Sequence, residues 1–202
     1  MIAAGEQGFI MLDRLQDLVI RTSRSWWLYL GVLIGFAGSL LALLRIGAMF
    51  PAHAAGNQPF DLQNGLAAAE VYPQIATYTE TARNLYHVFT LIDYAFPFFA
   101  GLFIAATAAF ALRNSLPNWY AALTARNLLP VFMLGTVFDW LENIAALGTI
   151  SLYPAKAAWL PVLLVLAKKL KLVCVMTAQT AMLLLLVYAG GKWLTSRFRL
   201  RR

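Results

Sequence analysis

The apolar positions of this chain fall into four long runs, and that pattern sets its fold before any single residue is considered. Residues 26–45, 85–112, 127–150 and 172–190 are each long enough to cross a hydrocarbon layer of about 30 Å as a helix rising about 1.5 Å per residue. More polar stretches frame them. Residues 1–25 read as a mildly amphipathic cytoplasmic lead, with Ile10, Leu12, Leu15, Leu18 and Val19 on its apolar side. Residues 51–84 read as an outer loop opened by Pro51, Gly56 and Pro59, in which 65–71 and 74–84 form short helices separated by Pro73. Residues 113–126 form a connection with Asn114, Pro117 and Asn118 as turn residues. The apolar stretch 157–191 carries Lys168, Lys169 and Lys171, and as one helix it spans about 50 Å, so it overshoots the membrane. Gly190 and Gly191 are expected to end it, ahead of a basic cytoplasmic tail over 192–202 with Lys192, Arg197, Arg199, Arg201 and Arg202. The predicted fold is all-α: a transmembrane four-helix bundle, one domain over 26–191, with an outer helical loop and an extended last helix.

The polar residues inside the runs carry the candidate chemistry. In Phe138-Asp139-Trp140-Leu141-Glu142-Asn143 the two acids and the amide are spaced i, i+3, i+4, so on a helix they share one face. That face should meet protein or a wet cavity, because a charge turned to lipid is costly. The second run contains His87, Asp93 and Pro97. A proline at 97 cannot donate to the carbonyl of Asp93, so the helix is expected to bend there. Counting rise per residue from Arg24, Arg113, Arg126 and Lys192 puts Arg45, Asp93, Glu142 and Lys171 about 24 to 31 Å along their helices, with Asp139 about one turn deeper and His87 and Lys168 one or two turns shallower. The prediction is a polar layer in the outer half of the bundle, with acids on the second and third spans and bases on the first and fourth. Asp139, Glu142, Asp93 and His87 are its candidate catalytic residues. Asn143, Lys171, Lys168, Arg45 and Gln179 are its candidate binding residues, Gln179 because it lies eleven residues after Lys168 and so nearly on the same helix face.

Composition narrows the class. Of 202 residues 61% are hydrophobic and only 12% charged, where a soluble domain carries about 25% charged residues. The mean hydropathy of +0.68 agrees with an integral membrane protein. The net charge of +7 does not point to nucleic acid, because the basic residues collect at the ends of the runs. Positive-inside topology accounts for them, with both termini cytoplasmic and several spans in the cell (plasma or inner) membrane. The lone Cys174 excludes a disulfide framework and a thiolate metal site. No metal ligand set and no cofactor is assigned.

Pro59-Phe60-Asp61-Leu62, Asp93 with Pro97, Phe138-Asp139 with Glu142-Asn143, and a lysine ahead of the last span together resemble a group of small uncharacterised four-helix bacterial membrane proteins. The resemblance covers roughly residues 59–191 and implies no activity. Three readings of the polar layer follow from the residues. It is a structural or ligand-binding network; or it is the site of a membrane-embedded enzyme that acts on a lipid-like substrate by carboxylate and histidine acid–base or metal chemistry; or it belongs to a small transporter or proton-coupled binding protein that works as a homo-oligomer. Membrane lipids are the expected partners. No HExxH or GxSxG motif favours the enzyme.

Overall fold

A computed structural model describes residues 2–199 of the chain, with side chains over 11–197. Ile10 of the expected lead and Arg199, Arg201 and Arg202 of the expected tail fall outside the described side chains. The regular structure of the described chain is all helical: α1 Ile2–Arg24, α2 Trp26–Met49, α3 Ala68–Ala76, α4 Glu80–Asp93, α5 Ala95–Ser115, α6 Pro117–Ala125, α7 Leu134–Leu152 and α8 Trp159–Arg199, with short 3-10 turns at Phe50–Ala52, Phe60–Leu62 and Leu129–Met133. Four stretches, Trp26–Ala52, Glu80–Ser115, Leu129–Leu152 and Trp159–Arg197, are long and apolar enough to cross a membrane, which makes this a multi-pass membrane protein. The fold is all-α and bundle-like, as the apolar runs predict.

The chain forms two compact units. The first comprises residues up to Leu33, Ala100–Leu134, and those from Cys174 onward. Here α1 packs against the turn Leu129–Met133. Gln16 is buried and donates from Nε2 to Thr124 O at 2.8 Å and to Asn127 Oδ1, and Asn127 Nδ2 in turn donates to Asp13. Asn127 adopts φ 54°, a left-handed turn that an asparagine tolerates better than most residues. The amphipathic lead therefore packs into this unit: Gln16, Val19, Thr22 and Ser23 are buried. On α5 the alanines 105, 106, 108, 109 and 111 are all buried, and such small side chains let helix backbones approach closely where lipid supplies no hydrophobic drive.

The second unit comprises Ile34–Phe99 and Gly135–Val173. Its core is aromatic: Phe50 stands edge-on to Tyr78 and Tyr86 at 5.2 and 5.7 Å, and Phe60 lies 5.4 Å from Tyr86, with Val71, Ile75, Ala146 and Leu164 filling around them. The loop after α2 is thus folded inward. Thr79 fixes its end, accepting from Ala82 N at 3.2 Å as the N-cap of α4 and donating from Oγ1 to His53 O at 3.0 Å. Tyr72 OH and the backbone of Ala157 exchange two hydrogen bonds, at 2.8 and 3.0 Å. Burial pushes the Tyr78 phenol above its ordinary pKa, and the hydrogen bond from Gln74 at 2.6 Å pulls it partly back, so it stays neutral. Gly35 marks a close approach, since a Cβ there would meet the Phe99 ring at 2.8 Å.

Several local expectations are revised. Pro73 lies inside α3 and does not separate two helices, because the burial of Val71 and Ile75 outweighs one lost backbone hydrogen bond. The break falls instead before Glu80, where Thr79 supplies a cap that Pro73 cannot. Residues 117–125 form a helix with Pro117 in its first turn, the one place where a missing N–H costs nothing. Gly190 and Gly191 do not end the last helix, which runs on to Arg199. Each glycine costs about 1 kcal/mol in a helix interior, and the following turn is held by Lys192 Nζ donating to Ser115 O at 2.8 Å and by Arg197 over the Trp193 ring at 4.6 Å.

Candidate functional site

The helix repeat of α7 does what its spacing predicts. Asp139, Glu142 and Asn143 are buried together on one face, while Val137, Trp140 and Ile144 are exposed on others. The second contributor is the interruption at Tyr94. Pro97 leaves the backbone near Asp93 short of a donor, α4 stops at Asp93, and α5 starts at Ala95. Two carbonyls around the break take donors from α7: Trp140 Nε1 donates to Tyr94 O at 2.9 Å and Thr136 Oγ1 to Pro97 O at 2.7 Å. These bonds fix the register that sets buried Asp93 against Asn143, whose Nδ2 donates to Asp93 Oδ2 at 3.0 Å and to Asp139 Oδ1 at 3.4 Å.

The bases come from α8. Lys168 and Lys171, one turn apart, turn inward. Lys171 Nζ lies 2.6 Å from Glu142 Oε2 and 3.4 Å from Asp139 Oδ2, and it donates to Asp61 Oδ1. Lys168 Nζ donates to Gln63 O at 2.9 Å and to Phe60 O, and stands 3.5 Å from Glu142 Oε1. The Glu142 side chain is only 1% exposed. Both its oxygens have an ammonium neighbour, Lys171 at Oε2 and Lys168 at Oε1. Asp61, on the 3-10 turn Phe60–Leu62, completes the group. One carboxylate oxygen from each of Asp61, Asp93 and Asp139 lies within 4.8 Å of the others.

Charge counting gives the site its character. Four carboxyl groups, Asp61, Asp93, Asp139 and Glu142, share two ammonium groups, Lys168 and Lys171. Ionised throughout, the cluster would hold two surplus negative charges in a space nearly closed to water. Like charges at this range disfavour joint ionisation, and an uncompensated buried charge costs several kcal/mol. Protons or a cation are the physical remedies.

The structure brings together six of the residues expected in the polar layer: Asp93, Asp139, Glu142, Asn143, Lys168 and Lys171. It leaves three outside. Arg45 and His87 are exposed, and neither has a hydrogen-bond or ion-pair partner among the described residues. Gln179 is exposed and belongs to the first unit. The expected base from the first span is therefore missing, because depth along a helix fixes height but not which way a side chain points, and a long arginine reaches out to a polar surface readily. The residue that sequence reasoning passed over as a site member is Asp61. Its signal was the proline-opened turn Pro59-Phe60-Asp61-Leu62, an acid between two large apolar residues.

The chain matches no protein-family model, no curated protein and no solved structure. The reading of the site rests on its geometry.

Proposed function

We propose that this membrane protein is a binding protein whose acid-rich cluster takes up a proton or a small cation, with Lys171 as a tethered cation already in place. The observation that carries this reading is the mismatch of four carboxyls to two ammoniums within a buried space. A purely structural brace is satisfied by matched pairs and gains nothing from surplus acids. Oxygens that ligate a hard cation at about 2.0 to 2.6 Å lie within about 5 Å of one another, a spacing that the Asp61, Asp93 and Asp139 oxygens meet. A bound cation there would share Asp61 and Asp139 with Lys171, so uptake loosens the lysine's hold. The same reading keeps the cluster in the outer half of the cell membrane with both termini cytoplasmic, supported by the basic residues Arg14, Arg21, Arg24, Arg113, Arg126 and Lys192 at the opposite ends of the runs.

The test is thermal melting of the purified protein in neutral detergent, over a pH series and with sodium, potassium, magnesium or calcium chloride at matched ionic strength. The wild type should melt higher in one of these cations or at lower pH. Asp93→Asn should melt at or above the wild type and lose most of that dependence, because it removes surplus charge. A melting temperature indifferent to pH and cation, together with destabilisation by Asp93→Asn, would mark the cluster as a brace and end this reading.

A further inference from the structure

The first unit holds a cavity of about 690 Å³ beside the junction of α1 and α2. Two of its lining residues are arginines, Arg24 and Arg113, and no carboxylate lines it among the described residues. Arg113 is half-buried: its Nη2 donates to Ser23 O at 3.3 Å and its guanidinium stands 5.8 Å from the Phe110 ring centroid. One such bond leaves most of the five N–H donors of a guanidinium unused. Thr22 lines the same cavity. It is 1% exposed, and its hydroxyl has no hydrogen-bond partner among the described residues. The other hydroxyls of this wall are occupied, with Tyr29 OH and Thr107 Oγ1 2.7 Å apart and Thr107 donating to Phe103 O at 2.7 Å. A buried hydroxyl without a partner is rare in a folded protein, and Thr22 belongs to the lining of a cavity that also carries Arg24 and Arg113.

We propose that this cavity binds the phosphate headgroup of an anionic phospholipid, with Arg24, Arg113 and the Thr22 hydroxyl on the phosphate oxygens. The rest of its wall, Phe103, Phe110, Met182, Leu183 and Leu186, is apolar and takes the start of an acyl chain. This wall is the reason to assign a lipid and not a free phosphate ion, which needs only the polar side. Arg24, Trp26 and Arg113 stand at the ends of apolar runs, the level at which headgroups meet a membrane protein. Guanidinium groups recognise phosphate in a fork that ammonium groups cannot reproduce.

The experiment titrates the full chain, in neutral detergent, with dioleoylphosphatidylglycerol, with dioleoylphosphatidylcholine and with inorganic phosphate, read by native mass spectrometry and by melting temperature. Phosphatidylglycerol should stay bound and raise the melting temperature, while the other two should do neither. Arg113→Gln or Arg24→Gln should weaken phosphatidylglycerol about tenfold, the loss of one charge-assisted hydrogen bond, and Thr22→Val about threefold. Asp93→Asn, in the other unit, should leave lipid binding unchanged. Arg24 is exposed, so its variant folds and serves as the arm that a collapse of Arg113→Gln cannot confound. Equal retention of the two phospholipids, inorganic phosphate competing as well as the lipid, or Arg24→Gln and Thr22→Val both binding phosphatidylglycerol like the wild type would overturn the proposal.

Discussion

The two units arrange their charged residues in opposite ways. In the unit of Ile34–Phe99 and Gly135–Val173, acids and lysines from α4, α7, α8 and the loop turn are pressed together, four carboxyls to two ammoniums. In the other unit, Arg24 and Arg113 line an open cavity without an acid among them, and a nearby hydroxyl has no partner. The first arrangement is closed and couples charge to stability. The second is open, so changes there should act on what binds and only weakly on folding.

The sharpest way to break the comparison is Lys171→Met. It leaves Glu142, Asp139 and Asp61 without their shared ammonium and should lower stability by about 3 to 5 kcal/mol, as removal of one partner of a buried pair does. Unfolding in mixed micelles measures it, and adding Glu142→Gln to the same chain should recover part of the loss. A loss below about 0.5 kcal/mol, the range of a surface substitution, would show that the cluster is not charge-coupled at all.

A smaller effect is expected for Lys168→Met, about 2 kcal/mol, since it frees two backbone carbonyls and one ion-pair contact. Hydrogen exchange should quicken over 60–66, whereas Lys169→Met, at an exposed neighbour, should change neither stability nor exchange. The smallest expected change has the opposite sign. Thr22→Val removes a buried hydroxyl without a partner among the described residues and should stabilise the lipid-free protein by about 1 kcal/mol. Destabilisation of that size would mean that Thr22 is already satisfied, and the contrast between the units would narrow.

The helical part of this contrast was legible in the sequence because helix periodicity fixes direction as well as distance. Asp139, Glu142 and Asn143 meet where their spacing places them, and Pro97 marks where α4 gives way to α5. The arguments that used height alone did less well. Arg45 and His87 lie at plausible depths but point outward, and Gln179, though near the azimuth of Lys168, is about 16 Å farther along the axis. Asp61 was beyond such counting, because a loop has no fixed rise and its position depends on the aromatic core of Phe50, Phe60, Tyr78 and Tyr86. The cavity was less visible still, since its residues come from α1, α2, α5 and α8 and only their meeting gives it meaning.

The order of the charges along the chain also bears on biogenesis. Asp61, Asp93, Asp139 and Glu142 all precede Lys168 and Lys171, so during synthesis the acidic spans reach the insertion machinery before either ammonium has been made. Each acid in mid-span raises the insertion free energy by about 2.5 to 3.5 kcal/mol on its own. The third span, with two of them, is therefore expected to be the one that gains most when α8 brings Lys168 and Lys171 to its acids.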